Sequence, residues 1–173
     1  MYNCRRLSNQ RSSIVPKHGI VTNLFIAPSA GARMQSERQV EAIAGRGLKG
    51  DRYAEAAGSY NKGSPGRRQV TLMNERFITE ATARGTGIHA IHTRRNIIVR
   101  GVELMWLIGR DFRVGDAFMR GVKYCDPCDR PSALCGVPGF AKVFEDGGGL
   151  VAEIIKGGII RLGDSVIPPP KEY

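Results

Sequence analysis

The chain has 173 residues, 42% of them hydrophobic, so it can bury one core without the disulfides that very small domains need. No stretch approaches the ~20 apolar residues of a membrane-spanning helix, so the sequence gives no sign of a membrane protein. The formal net charge of +10 favours an anionic partner such as nucleic acid, an acidic surface or a phosphorylated small molecule; the alternative is that it serves solubility together with a basic tail.

Three segments divide the chain. Residues 1–17 are basic and free of acids, and they lack the apolar run of a signal peptide, so we expect a disordered N-terminal arm; an organelle-targeting role is the alternative. Residues 18–168 are the predicted folded domain, and residues 169–173 are a C-terminal tail. Because no export signal is visible, we expect a cytoplasmic protein whose thiols stay reduced.

The first half of the predicted domain consists of strands and loops with one helix. Asn74 is suited to cap that helix and Glu75 to its first turn. In chain order the sequence predicts a strand at 19–29, a strand running into a glycine-rich loop at 38–53, a mobile surface loop at 54–68, a strand at 69–74 and a helix at 75–84.

The second half is richer in strands. The sequence predicts a buried strand at 95–101, one or two helical turns at 102–109, two strands joined by a Gly-Asp turn at 111–125, a short helix at 138–145 and three strands at 149–167. Many short strands with two or three helices predict a mainly β protein with α decoration, in which the strands close into a β-barrel.

Three of the four cysteines, Cys125, Cys128 and Cys135, lie within eleven residues of one another in the stretch YCDPCDRPSALCG. A Cys-x-x-Cys pair is half of a structural zinc site, but no second pair exists. With Cys135 as the third ligand, the fourth would be one of Cys4, His18, His89 and His92. A thioredoxin-like redox pair needs a βαβ context that is missing here, and simple packing is the expected role of Cys125.

Cys128 is the candidate for chemistry because it follows a strand and lies in a polar loop. Loops held by a rigid sheet can expose and position a side chain at once. The neighbouring Arg130 favours the thiolate, which binds soft metals and attacks sulfur, whereas Asp126 and Asp129 oppose it. The sequence leaves that balance open.

Four segments together resemble the MOSC domain, the C-terminal domain of molybdenum-cofactor sulfurases, and most closely its short stand-alone bacterial members. They are GLKGDRY (47–53), RQVTLMNE (68–75), the stretch from HTRRN to CDPC (92–128) and GGIIRLGDSV (157–166). The likeness runs from about residue 19 to 167. It implies a closed β-barrel that binds the molybdenum cofactor or carries sulfur for it, and a family-level association with pyridoxal phosphate, to which no residue is assigned.

The resemblance also implies roles for particular residues. Cys128 matches the reactive cysteine, which either ligates molybdenum or holds a persulfide, so it is both the catalytic and the metal-ligating candidate. Arg94 and Asn96 match cofactor-binding positions, and their side chains suit a phosphate and a pterin edge. Lys49 and Arg52 could add charge at the phosphate end. Arg95, between the two matched positions, is an additional cation.

These assignments predict a protein that binds an anionic pterin and acts in the reduction of N-hydroxylated compounds. Electrons would come from a separate reductase, because the chain has no dinucleotide-binding fingerprint. The alternative is a sulfur carrier loaded by a cysteine desulfurase. A nucleic-acid-binding module and a zinc-binding module are further alternatives, but the scattered basic residues show no interleaving with aromatic residues and make nucleic acid the weaker choice.

Overall fold

The computed structural model describes residues 18–61 and 68–170. The predicted N-terminal arm and the last residues of the predicted tail lie outside these ranges. The described strands are β1 (Gly19–Ile26), β2 (Gln35–Glu37), β3 (Gln39–Ile43), β4 (Gly47–Leu48), β5 (Val70–Asn74), β6 (Ile97–Arg100), β7 (Asp111–Val114), β8 (Ala117–Tyr124), β9 (Leu150–Lys156), β10 (Gly158–Arg161) and β11 (Ser165–Ile167).

The helices of the described residues are all short. They are α1 (Glu75–Ala83), α2 (Arg130–Cys135) and α3 (Phe140–Val143), with 3₁₀ helices at Ala90–Thr93 and Leu104–Leu107. None of these helices has the length and apolar character needed to cross a membrane.

Seven strands close into a barrel in the order β11-β7-β8-β9-β5-β6-β1, and β1 returns to β11 through the Gly19–Val166 pair. The predicted closed, mainly β fold is therefore confirmed. All neighbouring pairs are antiparallel except β5 and β6, which are parallel. A separate small sheet, β10-β3-β4, lies beside the barrel.

The strand register brings two distant parts of the chain to one end of the barrel. Tyr124 at the end of β8 pairs with Leu150, Leu150 pairs with Leu72, and Leu72 pairs with Ile97 at the start of β6. This row of four residues crosses neighbouring strands that are each about 4.8 Å apart. The segment before β6 and the segment after β8 therefore emerge at the same end, although nearly thirty residues separate them in sequence.

Two apolar cores hold the strands in place. The larger fills the barrel, where alternating residues such as Phe112 and Val114 of β7 point inward. The smaller packs α1 and α3 against the outer face of the sheet and includes Ile78, Phe140 and Phe144. Strand β5 is buried on both faces because it lies between the two cores, which explains its continuous apolar run.

Most predicted elements are present, with differences that have physical causes. Asn74 caps α1 as predicted, accepting a hydrogen bond from the Arg76 backbone N–H. The predicted 138–145 helix is shorter because Gly139 adopts a left-handed conformation (φ 80°) just before it. Helix α2, within the cysteine-rich stretch, was not predicted. Residues 54–61 of the predicted surface loop fold into turns, and Asn61 is fully buried there.

Asn96, immediately before β6, joins three strands through its fully buried side chain. Its Oδ1 accepts hydrogen bonds from the Thr71 backbone N–H at 3.1 Å and from the Thr71 hydroxyl at 3.0 Å. Its Nδ2 donates to the Phe25 carbonyl at 3.1 Å. Three of the four hydrogen bonds that the amide can form therefore go to protein groups, and they fix the ends of β1, β5 and β6.

We expect Asn96→Ala to lower the free energy of unfolding by about 2–4 kcal/mol, because it leaves buried groups of Thr71 and Phe25 without partners. Urea denaturation followed by circular dichroism measures the change. Asn23→Ala is the matched control, since the half-buried Asn23 has no side-chain hydrogen bond among the described residues, and its cost should stay below about 1 kcal/mol. Equal midpoints for the two variants would contradict this role.

Candidate functional site

A cleft at the end of the barrel collects one thiol and five arginines. We call it the Cys128 cleft. It is small, with a volume of about 40 Å³, and its lining has a single carboxylate. The lining residues are Ala30, Gly31, Arg52, Tyr53, Ser59, Tyr60, Arg68, Arg94, Arg95, Asp126, Cys128, Arg130 and Pro131.

The loop that carries Cys128 is held by backbone contacts to a triple-glycine segment, residues 147–149. The Cys125 N–H donates to the Gly149 carbonyl at 2.8 Å, and the Gly148 N–H donates to Tyr124 Oη at 2.8 Å. A Cβ on Gly148 would overlap the Cys125 carbonyl oxygen and come within 2.7 Å of Pro127 Cδ. Glycine is thus required for the close approach of the two segments.

Arg95 is a second anchor of the cysteine loop, and its side chain is only 7% exposed. Its Nε donates to the Gly148 carbonyl at 2.8 Å, and its Nη2 donates to the Cys125 carbonyl at 3.3 Å. A buried guanidinium needs such acceptors, because its charge is otherwise costly to remove from water. The extra cation at this position therefore ties the segment before β6 to the cysteine loop.

Cys128 itself is half-buried and has a phenol as its polar neighbour. Tyr60 Oη lies 3.8 Å from Cys128 Sγ, and the Arg68 guanidinium covers the Tyr60 ring at 3.9 Å from its centroid. Burial raises the pKa of Tyr60, and the hydrogen bond and charge interaction with Cys128 raise it further, while Arg68 opposes this. The phenol is therefore protonated at neutral pH and available to donate a hydrogen bond to the sulfur.

The two cations of the GLKGDRY turn, Lys49 and Arg52, lie on different surfaces of the protein. Arg52, only 4% exposed, pairs with the fully buried Asp51 at 3.0 Å and also donates to the Arg94 carbonyl at 3.0 Å. Lys49 is exposed and pairs with Glu41 at 2.8 Å. Lys49 does not line the Cys128 cleft, because β4 ends just before it and the side chain follows the small sheet instead.

Arg94 adopts a left-handed backbone conformation (φ 57°), which is uncommon for a residue with a side chain. Its Nη1 donates to the Ala32 carbonyl at 2.7 Å, and no ion pair to it occurs among the described residues. Burial lowers the pKa of the Arg94 guanidinium, and repulsion from Arg52 and Arg130 lowers it further. An arginine remains charged regardless, so this environment favours an incoming anion.

The structure brings together three of the five residues singled out in the sequence. Cys128, Arg94 and Arg52 line one cleft, whereas Asn96 is buried in the interior with hydrogen bonds to Thr71 and Phe25, and Lys49 lies on the small sheet. Sequence reasoning did not identify Arg68 and Tyr60 as part of the site, it considered Arg130 only for its effect on the Cys128 thiolate, and it left Arg95 without a role. The signal available for Arg130 was its position two residues after Cys128.

The other two cysteines of the cluster, Cys125 and Cys135, differ in solvent exposure. Cys125 is 1% exposed, as expected for a packing residue, while Cys135 is half-buried at the end of α2. Within residues 18–61 and 68–170, no three or more histidine, cysteine, aspartate or glutamate side chains are arranged to hold a metal ion. The described residues thus give the zinc alternative no support.

Comparison with known proteins identifies the fold. The family model of the MOSC domain matches residues 56–167. The crystal structure of the YuaD protein from Bacillus subtilis is similar with a TM-score of 0.70 and 19% identity, covering 86% of this chain and 94% of that one. YiiM from Escherichia coli is similar with a TM-score of 0.61 and 16% identity, covering 91% and 72%. A search of curated proteins found no significant match.

We predict that Arg95→Lys exposes Cys125. A lysine lacks the planar group with which Arg95 donates from two separate nitrogens to the two carbonyls, and losing one charge-assisted hydrogen bond costs about 1.5–3 kcal/mol, so the opened loop should become at least about tenfold more populated. Alkylation with iodoacetamide, resolved by peptide mass spectrometry, measures the labelling rate of Cys125 under conditions where circular dichroism shows a folded protein.

Arg113→Lys serves as the matched control for this experiment, because Arg113 is exposed on β7 and pairs with Phe118 near the start of β8, whereas Cys125 follows the end of β8. It should leave the labelling rate of Cys125 unchanged. An Arg95→Lys protein whose Cys125 reacts no faster than in the wild type would show that Arg95 does not hold the loop.

Proposed function

Because the chain belongs to the MOSC domain family, we propose that it binds the molybdenum cofactor at the Cys128 cleft, with the Cys128 sulfur as a molybdenum ligand. One observation carries this proposal: an accessible thiol and five guanidinium groups converge in one cleft with a single carboxylate in its lining. Neither a charged cleft nor an exposed thiol alone would indicate this cofactor.

The chemistry of the donor set fits the cofactor. Molybdopterin carries a phosphate and a dithiolene, and planar guanidinium groups bind phosphate through paired hydrogen bonds. A thiolate is a soft ligand that suits a metal already coordinated by sulfur. The small cleft volume, about 40 Å³, can take only part of such a molecule, so these residues would bind its anionic and metal-bearing portions.

Charge balance supports a small anion as the ligand. Arg52 is already paired with Asp51, whereas Arg94 and Arg130 have no carboxylate partner among residues 18–61 and 68–170. These two arginines would hold the phosphate, and repulsion between them would fall when it binds. The concave, narrow site suits a small molecule better than a nucleic-acid strand, which needs an extended basic groove.

We further propose that the protein acts in the reduction of N-hydroxylated compounds. Conversion of an N-hydroxyl group to an amine consumes an electron pair and a pair of protons and releases water. The bound molybdenum would supply a centre able to change its oxidation state by an electron pair. Cys128 would hold that centre, and the Tyr60 phenol would donate a hydrogen bond to the Cys128 sulfur. A separate reductase would provide the electrons.

A sulfur carrier is the second candidate, and the burial of Cys125 favours it. A persulfide on Cys128 is destroyed if a neighbouring thiol attacks it to form a disulfide. Cys125 is only 1% exposed, so it is poorly placed for such an attack. Incubation with a cysteine desulfurase, followed by mass spectrometry, would then add about 32 Da, one sulfur atom, to Cys128 alone.

We predict that Cys128→Ser, produced in a host that makes the cofactor, binds at least about tenfold less molybdenum than the wild type. Loss of a residue that only hydrogen-bonds to a metal ligand already lowers metal affinity by about 10–100-fold. Arg94→Ala should lose pterin as well as molybdenum, because it removes a phosphate contact. Elemental analysis measures molybdenum, and fluorescence of the oxidised pterin measures the organic part.

Cys135→Ser is the matched control, because Cys135 is also a half-buried thiol but does not line the Cys128 cleft. It should retain both molybdenum and pterin. A wild-type protein without either component, or a Cys128→Ser variant with a full molybdenum content, would contradict the proposal. Persulfide on Cys128 in a protein free of molybdenum would favour sulfur transfer.

A further inference from the structure

A second and larger cleft meets the first at Arg94. Its volume is about 300 Å³, at the lower end of the roughly 300–1,000 Å³ typical of small-molecule sites. The loop after β1, the 3₁₀ helix before β6 and the end of α2 form its walls. We call it the Cys135 cleft; its lining residues are Arg33, Met34, Ile91, His92, Arg94, Leu134 and Cys135.

The polar part of the Cys135 cleft consists of donors without a carboxylate. Arg33 and Arg94 form no ion pair among the described residues, and no aspartate or glutamate belongs to the lining. His92 Nδ1 accepts a hydrogen bond from the His89 N–H at 3.1 Å, so in the neutral ring the proton is on Nε2. Unpaired guanidinium groups beside an imidazole donor favour a ligand with an anionic group.

The apolar part of the cleft favours a flat, aromatic ligand body. Ile91 is 36% exposed and Leu134 is 40% exposed, which leaves apolar surface open beside the cations. The Met34 side chain also lines the cleft, but it is only 7% exposed and its sulfur accepts from Arg52 Nη1 at 3.5 Å, so the ligand contact falls to Ile91 and Leu134. Guanidinium groups also stack on aromatic faces. Inorganic phosphate alone would bind the cations and make no apolar contact with these side chains.

We propose that the Cys135 cleft is a second ligand site, which binds a small planar aromatic carboxylate. The carboxylate would pair with Arg33 and Arg94, and the ring would cover Ile91 and Leu134. This inference does not require a bound cofactor, because the Cys135 cleft lacks Cys128; since the proposed function assigns the shared Arg94 to the phosphate, the test uses cofactor-free protein.

Two native thiols allow the two clefts to be distinguished in one experiment. Cys135 reports on the second cleft, Cys128 reports on the first, and buried Cys125 serves as an internal reference. The purified full chain is alkylated with iodoacetamide in the presence of 2-naphthoate, and each thiol is followed by mass spectrometry. At about ten times the dissociation constant of 2-naphthoate, mass action predicts an approximately tenfold slower alkylation of Cys135. The rate at Cys128 should stay the same.

Matched probes and variants isolate the features on which the site depends. The neutral analogue 2-naphthalenemethanol should give no protection at the same concentration. Leu134→Asp should abolish protection by 2-naphthoate, because it places a like charge beside the carboxylate. Leu162→Asp is the control, since Leu162 is similarly exposed (44%) but lies outside the cleft. Arg33→Ala should weaken binding about fivefold, the effect of one exposed charge pair.

The inference would be overturned by equal slowing at Cys128 and Cys135, by no slowing at all, or by equal protection by the alcohol. Protection of both thiols by the molybdenum cofactor would also overturn it, because the second cleft would then belong to the cofactor site. A protein that fails to load molybdenum but shows selective protection of Cys135 by 2-naphthoate would support this inference while rejecting the proposed function.

Discussion

Five guanidinium groups lie in the Cys128 cleft, and the contacts around them must offset their mutual repulsion. Four of the five are held by different contacts: Arg52 by the buried Asp51, Arg68 by the Tyr60 ring, Arg94 by the Ala32 carbonyl and Arg95 by two carbonyls of the cysteine loop. Of these contacts, only the ion pair between Arg52 and Asp51 neutralises charge. The fold therefore maintains a concentrated positive potential beside a half-buried sulfur, and an anion bound there would reduce the repulsion.

The barrel brings the segments that carry these charges together. The row of paired residues that runs from the end of β8 to the start of β6 places the cysteine loop and the Arg94–Arg95 segment at one end of a rigid sheet. Asn96 saturates the strand ends, and the glycine segment 147–149 lets the cysteine loop approach closely. Because the scaffold is fixed by these contacts, the cleft does not have to be assembled when a ligand arrives.

The sequence predicted the barrel well because strand signals are local. Alternating residues and Gly-Asp turns are visible within a few positions, and they identified most strands. The resemblance to a known family identified Cys128 and Arg94, which share a motif with a characteristic spacing. Lys49 and Arg52 could not be separated in this way, because a tight turn directs two cations three residues apart to different surfaces.

Other features depended on contacts that no local pattern encodes. An asparagine suits a pterin edge and a buried hydrogen-bonding position equally well, so only the packing reveals that Asn96 is buried and bonded to Thr71 and Phe25. Tyr60 and Arg68 lie on a segment that is small and polar in sequence, and they join the site through the turns that bury Asn61. The Cys135 cleft is formed by three separate segments, and its lining could not be grouped before the fold was known.

The most direct test of the central claim is X-ray absorption spectroscopy at the molybdenum edge of the cofactor-loaded protein. If the Cys128 sulfur ligates the metal, the wild type has one more sulfur ligand than the small metal-bound fraction that the Cys128→Ser variant retains. If the sulfur count is the same in both, Cys128 is not a metal ligand, and the convergence of thiol and guanidinium groups in this cleft requires another explanation.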